Sequence, residues 1–294
     1  MNAKELFQLS TDTRARLSWS RLGLGTGTLA SLGRAASISE VDRLLGAMLE
    51  LELTVIDTAD TYGSGDCERL LGKALSGRRQ SFTVVTKAGY RHSNLPGPLR
   101  PLNQFAKKGL QSLGLRQCFT PAYLSKCLDN SLERLKTESV DAFLLHDPTL
   151  GTVMNEDVMR LFEGLKRTGK TRTVGVSSGD SEVLNAAISS GVFDVIQTPA
   201  SLKSAVTIRP LWLECEARHI QVIGSHIFDP SCLGIPGVTH EMLMRGSSAL
   251  LPKNAVILCG TRKPSHLSQS KNWALDPLPE AEAERLAMKF SAPG

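Results

Sequence analysis

The sequence predicts an α/β chain closed into a (β/α)8 barrel, and two observations carry that prediction. Short β-branched apolar runs are separated by longer stretches with helical periodicity, the alternation expected of repeated βαβ units. About eight such units on 294 residues suit one closed barrel better than the rival arrangement, an open doubly wound sheet. No linker, charge block or shift in composition divides the chain. Residues 1–294 are therefore expected to form a single barrel domain, with 1–20 as an N-terminal extension or hairpin.

The runs expected as strands are LGLGTG (22–27), LTVID (53–57), FTVVTK (82–87), DAFLLH (141–146), TVGVS (173–177), DVIQT (194–198), QVIGS (221–225) and AVILCG (255–260). They are too short for helices and almost continuously apolar, as strands buried on both faces are. The segment 37–52 opens on Ser37 with Glu40 three positions later, a capping box. The segment 66–77 ends on Gly77. In 120–137, Pro121 suits a first helical position. Helical patterns also cover 155–170, 180–191, 208–219 and 264–275, and the last residues read as one more helix with a frayed end. Residues 88–119 are long for a connection, and on the C-terminal face of a barrel such a loop is expected to shape a substrate site.

Composition excludes several classes. With 41% hydrophobic residues, the chain has ample material for a core and does not read as disordered. No apolar stretch reaches the roughly 20 residues of a membrane span, and the N-terminus has no secretory apolar region. The six cysteines form no CxxC pair or zinc spacing, so they read as reduced thiols of a cytoplasmic protein. His219, His226 and His240 are too dispersed to propose a metal site. The net charge of +5 is scattered; it prompts no nucleic-acid partner and suits a site for an anionic cofactor. There is no HExxH, GxSxG or P-loop, and the run Gly25-x-Gly27-x-x-Ala30 lacks the acidic strand end about 20 residues on that a dinucleotide fingerprint requires.

Three of the apolar runs end on ionisable residues: VID on Asp57, VVTK on Lys87, FLLH on His146. In a parallel barrel the C-terminal strand ends converge on one mouth, where active sites sit. Tyr62 follows Asp57 by five residues. One such residue alone would read as a salt bridge or a structural histidine; four at one mouth make a proton-transfer site. Tyrosine is a poor acid, with an ordinary pKa of about 10, and a lysine ammonium beside it is expected to lower that value. Asp57 would hold Lys87, and His146 would orient a carbonyl. A proton donor poised for a developing alkoxide calls for a hydride donor, hence a nicotinamide.

The segment IDTADTYGSGDCERLLGKAL resembles the signature of the aldo-keto reductase superfamily. VVTKAG, DAFLLHDP, GKTRTVGVSS and ILCGTRKPSHLSQS resemble its later segments in order. The resemblance implies a TIM barrel, an NADP(H)-dependent oxidoreductase with NAD(H) as the alternative, and the catalytic set Asp57, Tyr62, Lys87 and His146. It implies that Ser177, Ser178 and Gln197 hold the nicotinamide carboxamide, with Gly25 and Thr26 lining the same side. Gly260, Thr261, Arg262, His266 and Ser270 would meet the adenosine phosphate end. Free N–H groups at a helix start and the planar Arg262 guanidinium suit phosphate.

The chain also departs from the family pattern. Ser178 and Ser270 stand where the family has asparagine. Ser225-His226-Ile227-Phe228 replaces Tyr-Ser-Pro-Leu, so the ring that stacks on nicotinamide falls to His226 or Phe228, and the cleft is expected to be more open. The HDP sequence after the fourth strand is similar to the aldose dehydrogenase branch, making sugar oxidation an alternative to carbonyl reduction. A barrel kept as a non-catalytic, cofactor-binding regulatory module is the alternative of a different class. The expected partners are a small carbonyl or sugar substrate, with the protein a monomer or weak oligomer.

Overall fold

The computed structural model describes residues 19–30, 35–91 and 117–291. Its strands are β1 (Leu22–Gly25), β2 (Val55–Asp57), β3 (Thr83–Ala88), β4 (Val140–His146), β5 (Thr171–Ser177), β6 (Val195–Pro199), β7 (Gln221–Ser225) and β8 (Val256–Cys259). All neighbours are parallel, and β1 pairs with β8 as well as β2, so the sheet closes in chain order. Each run predicted as a strand is one, and the fold is a (β/α)8 barrel. The outer helices are α1 (Ile38–Glu50), α2 (Asp66–Ala74), α3 (Pro121–Leu135), α4 (Glu156–Arg167), α5 (Ser181–Ser190), α6 (Leu202–Ala217), α7 (His240–Leu250), α8 (Pro264–Leu275) and α9 (Glu280–Ser291).

Strand alternation divides the apolar residues into two sets. Val55, Val85, Ala142, Leu144, Val195, Ile223, Val256 and Leu258 fill the barrel interior, with Trp19 packed against them. The opposite parity, including Ile56, Val84, Phe143 and Leu145, faces the helices and forms the larger core. The helix starts follow the capping chemistry. Ser37 and Glu40 make the reciprocal capping box of α1. Asn155 and Asp180 accept from first-turn N–H groups of α4 and α5.

Two sequence expectations are corrected. The helix expected from residue 208 begins at Leu202, capped by Ser201, and runs through Pro210. Burial of Leu202 and Ala205 secures the first turns, outweighing the hydrogen bond that proline removes. Residues 228–250, to which no helical pattern is assigned from the sequence, contain α7 and a short helical turn at Pro230–Leu233. The expected N-terminal extension lies outside the described residues except at its end, as do residues 92–116 of the long loop. No helix among the described residues is long and apolar enough to cross a membrane.

Candidate active site

The site is the continuation of the barrel interior by one inward position per strand. Two residues past inward Val55, Val85 and Leu144 stand Asp57, Lys87 and His146; two past inward Val195 and Ile223 stand Gln197 and Ser225. His146, Ser177 and Gln197 lie in one register row across β4, β5 and β6. These residues line a cavity of about 470 Å³, together with Gly25, Tyr62, Ser178, His226, Phe228 and Gly260. That size suits a small ligand or part of a cofactor.

Lys87 is the largest charged side chain inside the mouth and is 2% exposed. Its Nζ donates to Asp57 Oδ1 at 2.7 Å and to the Thr58 carbonyl at 2.8 Å. Burial works against the ammonium, yet Asp57 and Tyr62 outweigh it and hold Lys87 above the usual lysine value. Nζ lies 5.4 Å from the centre of the Tyr62 ring, and that ring meets His146 edge-on at 6.2 Å. Lys87 pulls the Tyr62 phenol down. Burial, with Asp57 and Cys67, more than offsets that pull, so the phenol sits above the usual tyrosine value. This corrects the expectation drawn from Lys87 alone, and it keeps Tyr62 protonated.

The segment that carries Tyr62 hangs from β3. Thr58 N–H donates to the Val85 carbonyl and Asp60 N–H to the Lys87 carbonyl. A tight turn follows at Tyr62–Gly65, with Gly63, Ser64 and Gly65 at φ of 59°, 55° and 87°, the region where glycine is least strained. Behind it lies a buried polar cluster. Arg134 Nε donates to Glu68 Oε2 at 2.7 Å and Thr86 Oγ1 to Glu68 Oε1 at 2.6 Å. Burial, reinforced by Glu68, pushes the Asp60 carboxyl well above the carboxylate range. With its folded pKa raised, the native state holds a proton that the unfolded chain releases. Stability therefore falls as pH rises from the unfolded carboxylate value through the folded one. Asp60→Asn should flatten that slope: calorimetry at pH 5 and pH 8 should show a smaller loss of Tm than in the wild type. An equal loss would refute the protonated Asp60.

The expected cofactor residues divide into two groups. Gln197 Nε2 donates to Asp57 Oδ1 at 3.0 Å. Because a carboxylate only accepts, this bond settles the amide orientation. Gln197 Oε1 is then left buried without a hydrogen-bond partner. Ser225 Oγ donates to the Thr198 carbonyl and lies 3.0 Å from His226 Nδ1. The Phe228 ring packs edge-on against His240. Thr26 is buried, its hydroxyl donating to the Asp57 carbonyl. Beyond the cavity, Thr261 Oγ1 lies 3.2 Å from His266 Nδ1. Ser270 faces inward, its hydroxyl 3.3 Å from Cys259 Sγ. Arg262 is paired with Glu40 at 2.8 Å. Ser37 and Arg262 together hold that carboxyl down at about 2. Sequence reasoning missed the Thr58 carbonyl, which carries no side-chain signal. It also left out Asp147, which lines the cavity and whose signal was its place next to His146.

The sequence pattern of the Aldo/keto reductase family matches residues 21–227. The chain is 32% identical over 163 residues to the oxidoreductase YqkF of Bacillus subtilis, covering 55% of this chain and 46% of that protein. It is 25% identical over 246 residues to pyridoxal 4-dehydrogenase of Microbacterium luteolum, covering 76% and 71%. Several curated relatives are matched over only about half of their length. Among solved structures, an aldo-keto reductase from Bacillus halodurans in its holo form superposes with a TM-score of 0.71 at 22% identity, covering 94% of each chain. One from Klebsiella pneumoniae in complex with NADPH gives 0.66 at 21% identity, covering 94% of this chain and 92% of that one. At these identities the structural likeness concerns the fold.

Proposed function

We propose that this chain, which belongs to the aldo/keto reductase family, is a nicotinamide-dependent oxidoreductase acting on a small aldehyde or ketone, or on the corresponding alcohol. The observation that carries the reading is the convergence of Asp57, Lys87, Tyr62 and His146 on one cavity. A bound nicotinamide would supply or take up the hydride. Tyr62 Oη gives its proton to the carbonyl oxygen in reduction and takes it back in oxidation. Lys87, fixed by Asp57, stabilises the oxyanion that Tyr62 becomes. His146, whose ring meets that of Tyr62 edge-on, orients the carbonyl oxygen.

The residues present fit the cofactor. The orphaned, buried Gln197 Oε1 suits the N–H of a carboxamide, and Ser177 and Ser178 line the same cavity wall. Gly260, Thr261, Arg262 and His266 would take the adenosine end. The Arg262 guanidinium favours NADP(H), while Glu40 opposes it by occupying that cation. The lack of a tyrosine at Ser225 is the observation that favours the second reading, a barrel that binds cofactor without turning substrate over.

Fluorescence titration of the purified protein with NADPH and NADH, followed by rates on aldehyde and aldose panels, tests both readings. Binding with turnover supports the oxidoreductase; binding without turnover on either panel supports the second reading; binding of neither cofactor refutes both. Glu40→Gln frees Arg262 and should raise the preference for NADPH over NADH by up to about fivefold, the range of an exposed ion pair. An unchanged ratio would remove Arg262 from the cofactor site.

A further inference from the structure

The residue after His146 is built into the same cavity. Asp147 lines it and holds a left-handed backbone, φ 50°, a conformation that costs a non-glycine residue strain and persists where its surroundings over-determine it. Three hydrogen bonds do so. The Asp147 N–H donates to the Ser177 carbonyl at 2.8 Å. Gln117 Nε2 donates to the Asp147 carbonyl at 2.8 Å, and the Tyr90 hydroxyl donates to Asp147 Oδ2 at 2.8 Å. The Tyr90 ring stands edge-on to His146 with centroids 5.0 Å apart. Its carbonyl accepts the Tyr123 hydroxyl. The exposed Asp147 carboxylate is thus held by Tyr90 next to the residue that would face the carbonyl oxygen.

An ionised carboxylate only accepts hydrogen bonds and has about four acceptor positions; Tyr90 occupies one. A substrate hydroxyl can donate to another. A plain alkyl chain would desolvate the carboxylate without compensation, and an acidic substrate would be repelled. We propose that Asp147 is a specificity-determining residue that selects carbonyl substrates bearing a hydroxyl next to the reacting carbon. The selection rests on the oxidoreductase reading above and names its substrate class.

The test is kcat/KM for glyceraldehyde, propionaldehyde and glyoxylate, with NADPH and with NADH, in the wild type, Asp147→Ala and Tyr90→Phe. The wild type should prefer glyceraldehyde over propionaldehyde. In D147A that ratio should fall about ten- to hundredfold, the range of one charge-assisted hydrogen bond, and the handicap of glyoxylate should shrink. Y90F keeps the carboxylate and should keep the ratio, which separates recognition from support of the loop. A glyceraldehyde preference that survives in D147A overturns the proposal. Absence of turnover on all three in the wild type sinks the oxidoreductase reading instead. Saturation-transfer NMR with glycerol and 1-propanol then decides on Asp147. A glycerol signal lost in D147A upholds the selection, and equal signals in both proteins refute it.

Discussion

Replacing Tyr62 with phenylalanine is expected to lower kcat for carbonyl reduction by about 10²–10⁴-fold and to leave the dissociation constant of the nicotinamide cofactor nearly unchanged. The ring survives the substitution, and with it the edge contact to His146. Lys87 keeps its place because Asp57 and the Thr58 carbonyl hold it. Only the hydroxyl is removed, so the loss should appear in kcat rather than in binding. Wild-type reduction should fall only as the Tyr62 phenol, held above the usual tyrosine value, ionises at alkaline pH, a decline that Y62F should lack. Full turnover in Y62F would strip Tyr62 of the acid role. A parallel loss of cofactor binding would mean that the change had reshaped the mouth.

How much of this site the sequence discloses depends on whether the signal is local. Asp57, Lys87 and His146 were legible because strand alternation carries apolar parity to the strand end, where a single polar residue interrupts it. The box of Ser37 and Glu40 was legible because its partners lie within one turn. Helix α7 was not: Gly246, Ser247 and Ser248 are weak helix formers, and tertiary contacts override them, as when Ser248 Oγ donates to the Ala274 carbonyl. The partner of Arg262 was illegible for the same reason, since Glu40 reaches it across more than 200 residues of chain. Likewise the periodicity of α8 does not reveal that Ser270 turns inward to Cys259. For Tyr62 the sequence showed the lysine but not that burial, together with Asp57 and Cys67, outweighs it.

The largest loss of stability is expected from Arg134→Met. Arg134 and Glu68 are 7% and 0% exposed, so the substitution strands a carboxylate in the core, a loss of about 3–5 kcal/mol. The pair joins three elements. Glu68 stands on α2 and Arg134 on α3; Thr86, beside Lys87 on β3, donates to Glu68. The helices approach so closely that a Cβ at Gly72 would lie 2.2 Å from the Arg134 carbonyl. The Arg134 side chain also backs the turn after Tyr62, because a Cβ on Gly65 would meet its Cδ at 2.8 Å. Removal should therefore loosen the Tyr62 turn as well as the fold. In urea unfolding, R134M should shift the midpoint down with little change in slope, and its kcat should fall further than its cofactor affinity. Glu68→Gln combined with R134M removes both charges and should recover much of the lost stability. If R134M alone unfolds like the wild type, the pair is not what holds α2 to α3. If the double variant is no better than R134M, the cost lies in lost packing of the arginine stem rather than in a stranded charge.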